Sequence, residues 1–177
     1  MEQKPRIIPL LSAERIAERV SELAAEISED YAGKNPIMIG ILRGAWVFLA
    51  DLSRAMTIPH HADFVQLSSY GSGTTSSKDV QVLKDIQSGI KARHVILVED
   101  IVDTGYSLSK LINLLKDREP ASLAVCSLLD KPQRREVEVH IDYLGFSVPN
   151  KFIVGYGLDW DDRFRHLPYV GVLEFEK

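Results

Sequence analysis

The stretch VILVEDIVDTGYSL, residues 95–108, decides the fold. Its first four residues are apolar and read as a buried strand, expected to stop at two adjacent carboxylates, Glu99 and Asp100. Two more apolar residues lead to Asp103, Thr104 and Gly105, and a helix is expected to begin near Ser107. A strand that hands over to a helix through a short polar turn is the building unit of a parallel sheet. In open sheets of this kind ligands sit beyond the carboxyl ends of the strands, where these acids are expected to lie. The turn suits a phosphate. Gly105 allows positive φ and close backbone approach, Thr104 and Ser107 offer hydroxyls, and the following helix offers free N–H groups and its dipole. A blander reading has Thr104 and Ser107 only capping the helix, with the acids solvated. Two acids, a third acid and a phosphate-type turn at one strand end together favour a site.

The same alternation extends in both directions. Upstream, Ser12 is a suitable N-cap with Glu14 in the first turn; Ile16, Val20, Leu23 and Ile27 follow at helical spacing, and Gly33 closes the pattern. Residues 37–42 form an apolar run that reads as a buried strand, broken by Arg43 and Gly44, with a helix expected over 45–56. Phe64, Val65 and Leu67 suggest a further strand. It runs into SSYGSGTTSSKD (68–79), whose Ser, Gly and Thr content predicts a mobile segment with Tyr70 as its one apolar anchor. Downstream, a helix over 107–117 and strands over 123–129, 143–146, 152–155 and 170–175 are expected, the C-terminal strands forming a smaller lobe. The fold class is α/β, one domain over residues 1–177, built on a mostly parallel twisted sheet flanked by helices.

With 177 residues the chain is long enough for one sizeable core, and its 45% hydrophobic and 26% charged content is that of a soluble globular protein. No apolar run is long enough to span a bilayer, and the first residues lack the apolar core of a signal peptide. Cys126, the one cysteine, lies in an apolar run, so it reads as a buried inert thiol in a reducing, cytoplasmic setting. The five histidines, His60, His61, His94, His140 and His166, show no spacing typical of zinc ligands. A formal net charge of −4 argues against a nucleic-acid binder. An acidic chain holds a polyphosphate only through local devices such as bridging metal ions, helix N-termini or a few placed basic side chains.

No GxxxxGK[ST] loop and no GxGxxG fingerprint is present. The pattern acid-acid-apolar-apolar-Asp-Thr-Gly instead resembles the phosphoribosyl-diphosphate (PRPP) motif of the type I phosphoribosyltransferases. Further matches resemble the hypoxanthine-guanine members over nearly the whole chain. ILRGAWVF (41–48) is similar to the pyrophosphate loop, where the Leu42–Arg43 peptide would be cis. SSYGS (68–72) is similar to the start of an active-site flap, and LLDKPQRRE (128–136) supplies Lys131 at the place of a base-reading lysine. KFIVGYGLDWDDRFRHLPYVGVL (151–173) is similar to the C-terminal hood over the base. Position 106 is Tyr where some members have Lys, which weakens any role for a cation at the 5′-phosphate.

The resemblance implies a transferase that joins N9 of a 6-oxopurine to C1′ of PRPP and releases pyrophosphate. It implies that Asp103 accepts a proton near N7, while Thr104, Gly105, Tyr106 and Ser107 hold the 5′-phosphate. Glu99 and Asp100 would hold the ribose hydroxyls and a Mg²⁺ ion, and Asp159 a second Mg²⁺ on pyrophosphate. Arg165 and the backbone near Arg43 and Gly44 would bind pyrophosphate, and Ser69 and Tyr70 would close over it. Phe152 would stack on the purine, the backbone of Ile153 would read its edge, and Lys131 would donate to the 6-oxo group. Taken singly, Phe152 reads as core, Lys131 as a surface lysine, and Asp161 and Asp162 as solvated neighbours of Asp159. Analogy adds a homodimer or homotetramer, while the net charge and the lack of a long apolar run predict no nucleic-acid or membrane partner. Competing readings are transfer to another base such as xanthine, a regulatory PRPP-binding protein, and a nucleoside-phosphate hydrolase. For the last, no positioned water and base are evident.

Overall fold

A computed structural model describes residues 5–69 and 80–175. Among them the chain runs β1 (Pro5–Leu11), α1 (Ala13–Asp30), β2 (Ile37–Leu42), α2 (Trp46–Ala55), β3 (His61–Ser69), β4 (Val80–Lys84), β5 (His94–Val102), α3 (Tyr106–Lys116), β6 (Ser122–Asp130), β7 (Tyr143–Ser147), β8 (Ile153–Val154) and β9 (Val170–Phe175). Six strands form one sheet in the order β4-β3-β2-β5-β6-β7, and β1-β9-β8 form a second, smaller one. All pairings in the larger sheet are parallel except β3 with β4. The expected α/β architecture with a small lobe is therefore present. The lobe differs in make-up: residues 143–147 belong to the large sheet, and β1, which the sequence reading did not identify as a strand, closes the small one by pairing with β9.

Alternation along the central strands sorts their side chains into two cores. Met38, Ile96, Val98 and Cys126 face one side, where they meet Ile16, Leu23 and Ile27 of α1 and Phe48 and Leu52 of α2. Ile37, Ile39, Val95, Leu97 and Val125 face the other, covered by Leu108, Leu111 and Leu115 of α3. Helix α1 begins where Ser12 accepts a hydrogen bond from the Arg15 N–H. It is fixed to β7 by the Tyr143 hydroxyl, which donates to Asp30 at 2.6 Å, and by the Arg19 guanidinium, which donates to the Leu144 carbonyl at 2.8 Å. Cys126 is wholly enclosed, and burial pushes its thiol pKa far up, so it is inert as expected.

Strand β5 corrects one expectation. It does not stop at the acid pair: β2 accompanies it only to Val98, but β6 continues beside it, pairing Glu99 with Ser127 and Val102 with Asp130. The chain also reverses direction of build at this point, since β2 leads to β3 on one side and the next parallel strand, β5, lies on the other. Such switch points open crevices at the carboxyl ends of strands. On the far side of β2, residues 68 and 69 continue strand β3, and β4 returns antiparallel to it, where a loop beginning at Ser68 and no following strand were expected. The remainder of the expected flap, 70–79 with Tyr70, lies outside the described residues.

The β3–β4 arm is held by one buried acid. Asp63 is 8% exposed and accepts the backbone N–H of Phe64 at 2.7 Å, Gln87 at 2.8 Å and Ser88 at 2.7 Å. Burial alone would raise its pKa, but these donors outweigh it and the carboxyl sits below its usual range. A depressed folded-state value means that Asp63 stabilises the fold above the unfolded carboxylate value and loses that effect as pH falls below about 4. Asp63→Asn should therefore lower the unfolding free energy by about 2–3 kcal/mol at neutral pH. Urea titrations from pH 7 down should show the gap between variant and wild type narrowing only below about pH 4. A gap unchanged down to the acid transition would contradict this account.

Candidate functional site

Three segments at the carboxyl end of the large sheet and one from the small sheet converge. The segment after β2 carries Arg43 and Gly44, with the Leu42–Arg43 peptide cis as expected. A Cβ on Gly44 would fall on the Asp100 carboxylate, so a residue without a side chain is what lets this loop lie against the acid. The segment after β6 carries Lys131, whose N–H donates to the Val102 carbonyl at 3.0 Å. Strand β8 of the small sheet, with the residue before it and the loop leading to β9, contributes Phe152, Ile153, Asp159 and Arg165.

These residues enclose a cleft of about 550 Å³, lined by Arg43, Gly44, Asp100, Lys131, Phe152, Ile153, Asp159 and Arg165 together with Gln66, Leu67, Ser68 and Leu83 of the β3–β4 arm. A second cavity of about 230 Å³ is lined by Glu99, Asp103, Thr104, Gly105 and Ser107. Leu42, Leu67 and Ile101 form walls of both, so the two spaces adjoin. Glu99 lines the smaller space and Asp100 the larger, and the two carboxylates stay close enough to interact. Most of the expected residues thus meet here. Tyr106, the first residue of α3, lines neither space. Ser69 is placed on β3 by its backbone, opposite Val80, and Tyr70 lies outside the described residues.

In the turn, Gly105 has φ 90°, and its Cα faces the Val137 carbonyl so closely that a Cβ would collide with it. The Thr104 carbonyl accepts the N–H groups of Glu136 and Val137, both at 3.0 Å, which clamps the turn to the segment after β6. The capping alternative does not hold. Gly105 itself occupies the N-cap of α3, and no side chain caps it, so the Thr104 and Ser107 hydroxyls are not spent on the helix. Asp103 is not a cap either, because its carboxylate accepts Arg134 Nε at 2.9 Å. Phe152, read alone as core, is 53% exposed.

The electrostatics divide the site in two. Among the described residues, neither Glu99 nor Asp100 forms an ion pair with a lysine or arginine. Enclosure by protein, followed by the neighbouring Asp100 charge, raises the Glu99 carboxyl well above its usual range. Burial lowers the Lys131 ammonium, Asp103 opposes that shift, and Arg134 adds to it. On the hood side the acids are paired. Asp159 meets Arg165 at 2.7 Å, and Asp162, expected to be merely solvated, meets Arg43 at 2.9 Å and Arg165 at 3.3 Å. Arg165, then Arg43, holds the Asp162 carboxyl below its usual range. Sequence reasoning gave Arg134 no part in the site and treated Asp162 only as solvated. Neither partner lies nearby in sequence at a recognisable spacing, apart from Asp162 and Arg165.

Among the described residues no three His, Cys, Asp or Glu side chains gather closely enough to cage a metal by themselves. Glu99 and Asp100, which have no ion-pair partner among the described residues, offer the kind of oxygen donors that a hard cation takes together with water and ligand oxygens. Asp159 has both oxygens engaged, one with Arg165 and one with the Asp162 N–H at 2.8 Å, and offers only its remaining lone pairs.

The family model for the phosphoribosyl transferase domain matches residues 9–161. The hypoxanthine phosphoribosyltransferase of Salmonella typhimurium is 50% identical over 158 residues, spanning 88% of this chain and 89% of that protein. The hypoxanthine-guanine phosphoribosyltransferase of Streptococcus pneumoniae is 47% identical over 167 residues, 94% of this chain and 93% of that one. The crystal structure of a hypoxanthine phosphoribosyltransferase from Staphylococcus aureus matches with a TM-score of 0.90 at 40% identity, covering 94% of this chain and 90% of that one. A strand-turn-helix with the geometry described, inside a chain this similar from end to end of its relatives, leaves one assignment: this chain belongs to the hypoxanthine-guanine phosphoribosyltransferases, within the wider phosphoribosyl transferase domain family.

Proposed function

We propose that this chain transfers the phosphoribosyl group of PRPP to hypoxanthine, guanine or both, giving IMP or GMP and pyrophosphate in a purine-salvage reaction. The observation that carries the reading is the pair of adjoining spaces that Glu99 and Asp100 line. One strand end opens into two adjoining spaces, a small one under a phosphate-type turn and a large one between a lysine and an exposed aromatic ring. A ribose between them would place its 5′-phosphate at one acid's side and its C1′ at the other's.

In this reading Thr104, Gly105 and Ser107 hold the 5′-phosphate with the uncapped start of α3, and Tyr106 contributes only its place in that turn. Lys131 donates to the 6-oxo group, Phe152 stacks on the purine and the Ile153 backbone reads its edge. Arg43, Gly44 and Arg165 take the pyrophosphate, and Ser69 and Tyr70 close over it. Glu99 and Asp100 are suited to one Mg²⁺ and Asp159, beside Arg165, to a second; bound there, the ions neutralise the polyphosphate and stabilise it as a leaving group. The C1′–oxygen bond to pyrophosphate breaks as N9 bonds to C1′, and Asp103 takes the proton released at N7. The half-exposed Trp46 and the apolar groove beside it suit a second copy of the chain, in keeping with a homodimer or homotetramer.

Asp103→Asn tests the proton acceptor. Asn preserves the shape but takes up no proton near neutral pH. kcat should fall by about 10²–10⁴-fold, while the KM for PRPP changes far less, because the phosphate turn is intact. Wild-type kcat would remove Asp103 from the chemistry. The metal requirement is tested by assaying PRPP with hypoxanthine, guanine, xanthine and adenine in EDTA and again after Mg²⁺ is restored. Activity with the first two bases should vanish and return, and full turnover without divalent ions would overturn the role given to Glu99 and Asp100.

A further inference from the structure

The turn from Trp160 to Arg163 is built to carry a charge. Trp160 and Arg163 exchange backbone hydrogen bonds at 3.2 and 3.0 Å across a two-residue reversal. Asp161 and Asp162 both adopt positive φ there, 52° and 57°. This is the geometry of a tight turn that prefers Gly or Asn, and that aspartate tolerates. The Asp162 N–H is fixed to Asp159 at 2.8 Å, and one oxygen of its carboxylate receives two guanidiniums from different parts of the fold, Arg43 at 2.9 Å and Arg165 at 3.3 Å. Both arginines line the cleft. Arg165 is oriented independently by the Gly157 carbonyl, to which it donates at 2.7 Å.

We infer that Asp162 is an internal competitor for pyrophosphate: its carboxylate occupies Arg43 and, together with Asp159, Arg165 when the site is empty, and is exchanged for the pyrophosphate of the substrate. The inference rests on the reading of Arg165 and the loop at Arg43 and Gly44 as the pyrophosphate site, and it gives the Arg43 side chain a part beside its backbone. The balance of charge favours the incoming diphosphate. The Arg43–Asp162 pair is exposed, with side chains 59% and 61% accessible, and such pairs are weak. A diphosphate carries more charge and more acceptor oxygens, and it displaces a single carboxylate. The returning carboxylate in turn lowers the net affinity for product pyrophosphate, and it keeps both guanidiniums aimed at the cleft between turnovers.

A purely structural role for Asp162, stapling the hood to the loop after β2, predicts the opposite sign, which makes the test decisive. Inorganic pyrophosphate with Mg²⁺ is titrated calorimetrically into the full-length protein and used as a product inhibitor in steady-state assays. Asp162→Asn, which suits the turn, should tighten pyrophosphate by about 3- to 10-fold, the size expected on removing two weak ion pairs to a competitor. KM for PRPP should fall in step, and kcat should not rise. Asp162→Glu should restore values near wild type. Asp161→Asn removes the same charge one residue away, where the carboxylate faces Arg163 at 3.8 Å, and should leave pyrophosphate affinity unchanged. Unchanged or weakened pyrophosphate binding in Asp162→Asn, or an equal gain in Asp161→Asn, overturns the inference. Arg165→Gln separates the two levels. Loss of pyrophosphate affinity there upholds the reading of the site whatever Asp162 does, and no loss would bring down that reading itself.

Discussion

Strand β5 loses its neighbour β2 after Val98 but keeps β6 as far as Val102. Four residues of strand are thereby supported on one edge only, and everything distinctive about the site follows from that asymmetry. Hydrogen bonding to β6 keeps the backbone extended, while the open edge lets Glu99 line the smaller space and Asp100 the larger with their carboxylates close enough to interact. The missing β2 edge leaves the crevice that the loop after β2 and the turn before α3 then line. Had β2 run on beside β5, Glu99 and Asp100 would lie within a closed sheet, where two unpaired acids are very costly.

The central αβ units were legible because each is a local pattern. An apolar run of strand length, a polar turn and a 3.6-residue repeat are all written within about twenty residues, and β2, α2, β5, α3 and β6 fall within a few residues of their expected bounds. Pairings between distant segments were not legible. Nothing local in PRIIPLL says that it will meet residues 170–175, and β4 is five residues without a strong repeat. The apolar run at 95–98 marked the strand well, but polar side chains hid its continuation, because a partner's backbone, which no pattern records, prolongs it. The same holds for the site. Its acids and turn announced themselves by composition, whereas the Asp103–Arg134 and Asp162–Arg43 pairs depend on loops meeting in space.

Acidity and polyphosphate chemistry are reconciled by segregation of charge. The chain carries a formal net charge of −4, yet the hood side of its cleft gathers two guanidiniums, each already matched with carboxylates, while the strand-end acids stand unmatched. In the proposed reading, a cation and a polyanion entering together find complementary halves. The ribose, carrying both a phosphate and a pyrophosphate, spans the two halves in the proposed reading. Shape and charge then select for the intact sugar phosphate over its fragments.

The small sheet joins β1 to β9, residues 5–11 to residues 170–175. On the ribosome the two halves of the site must therefore mature at different times. All six strands of the large sheet have emerged once residue 147 is clear of the exit tunnel, so the phosphate turn and the acid pair can settle against a nearly finished core. The wall that carries Phe152, Asp159 and Arg165 waits for the last strand to return to the first, a closure across almost the entire chain. In the proposed reading, a growing polypeptide thus forms its sugar-phosphate side before its base side.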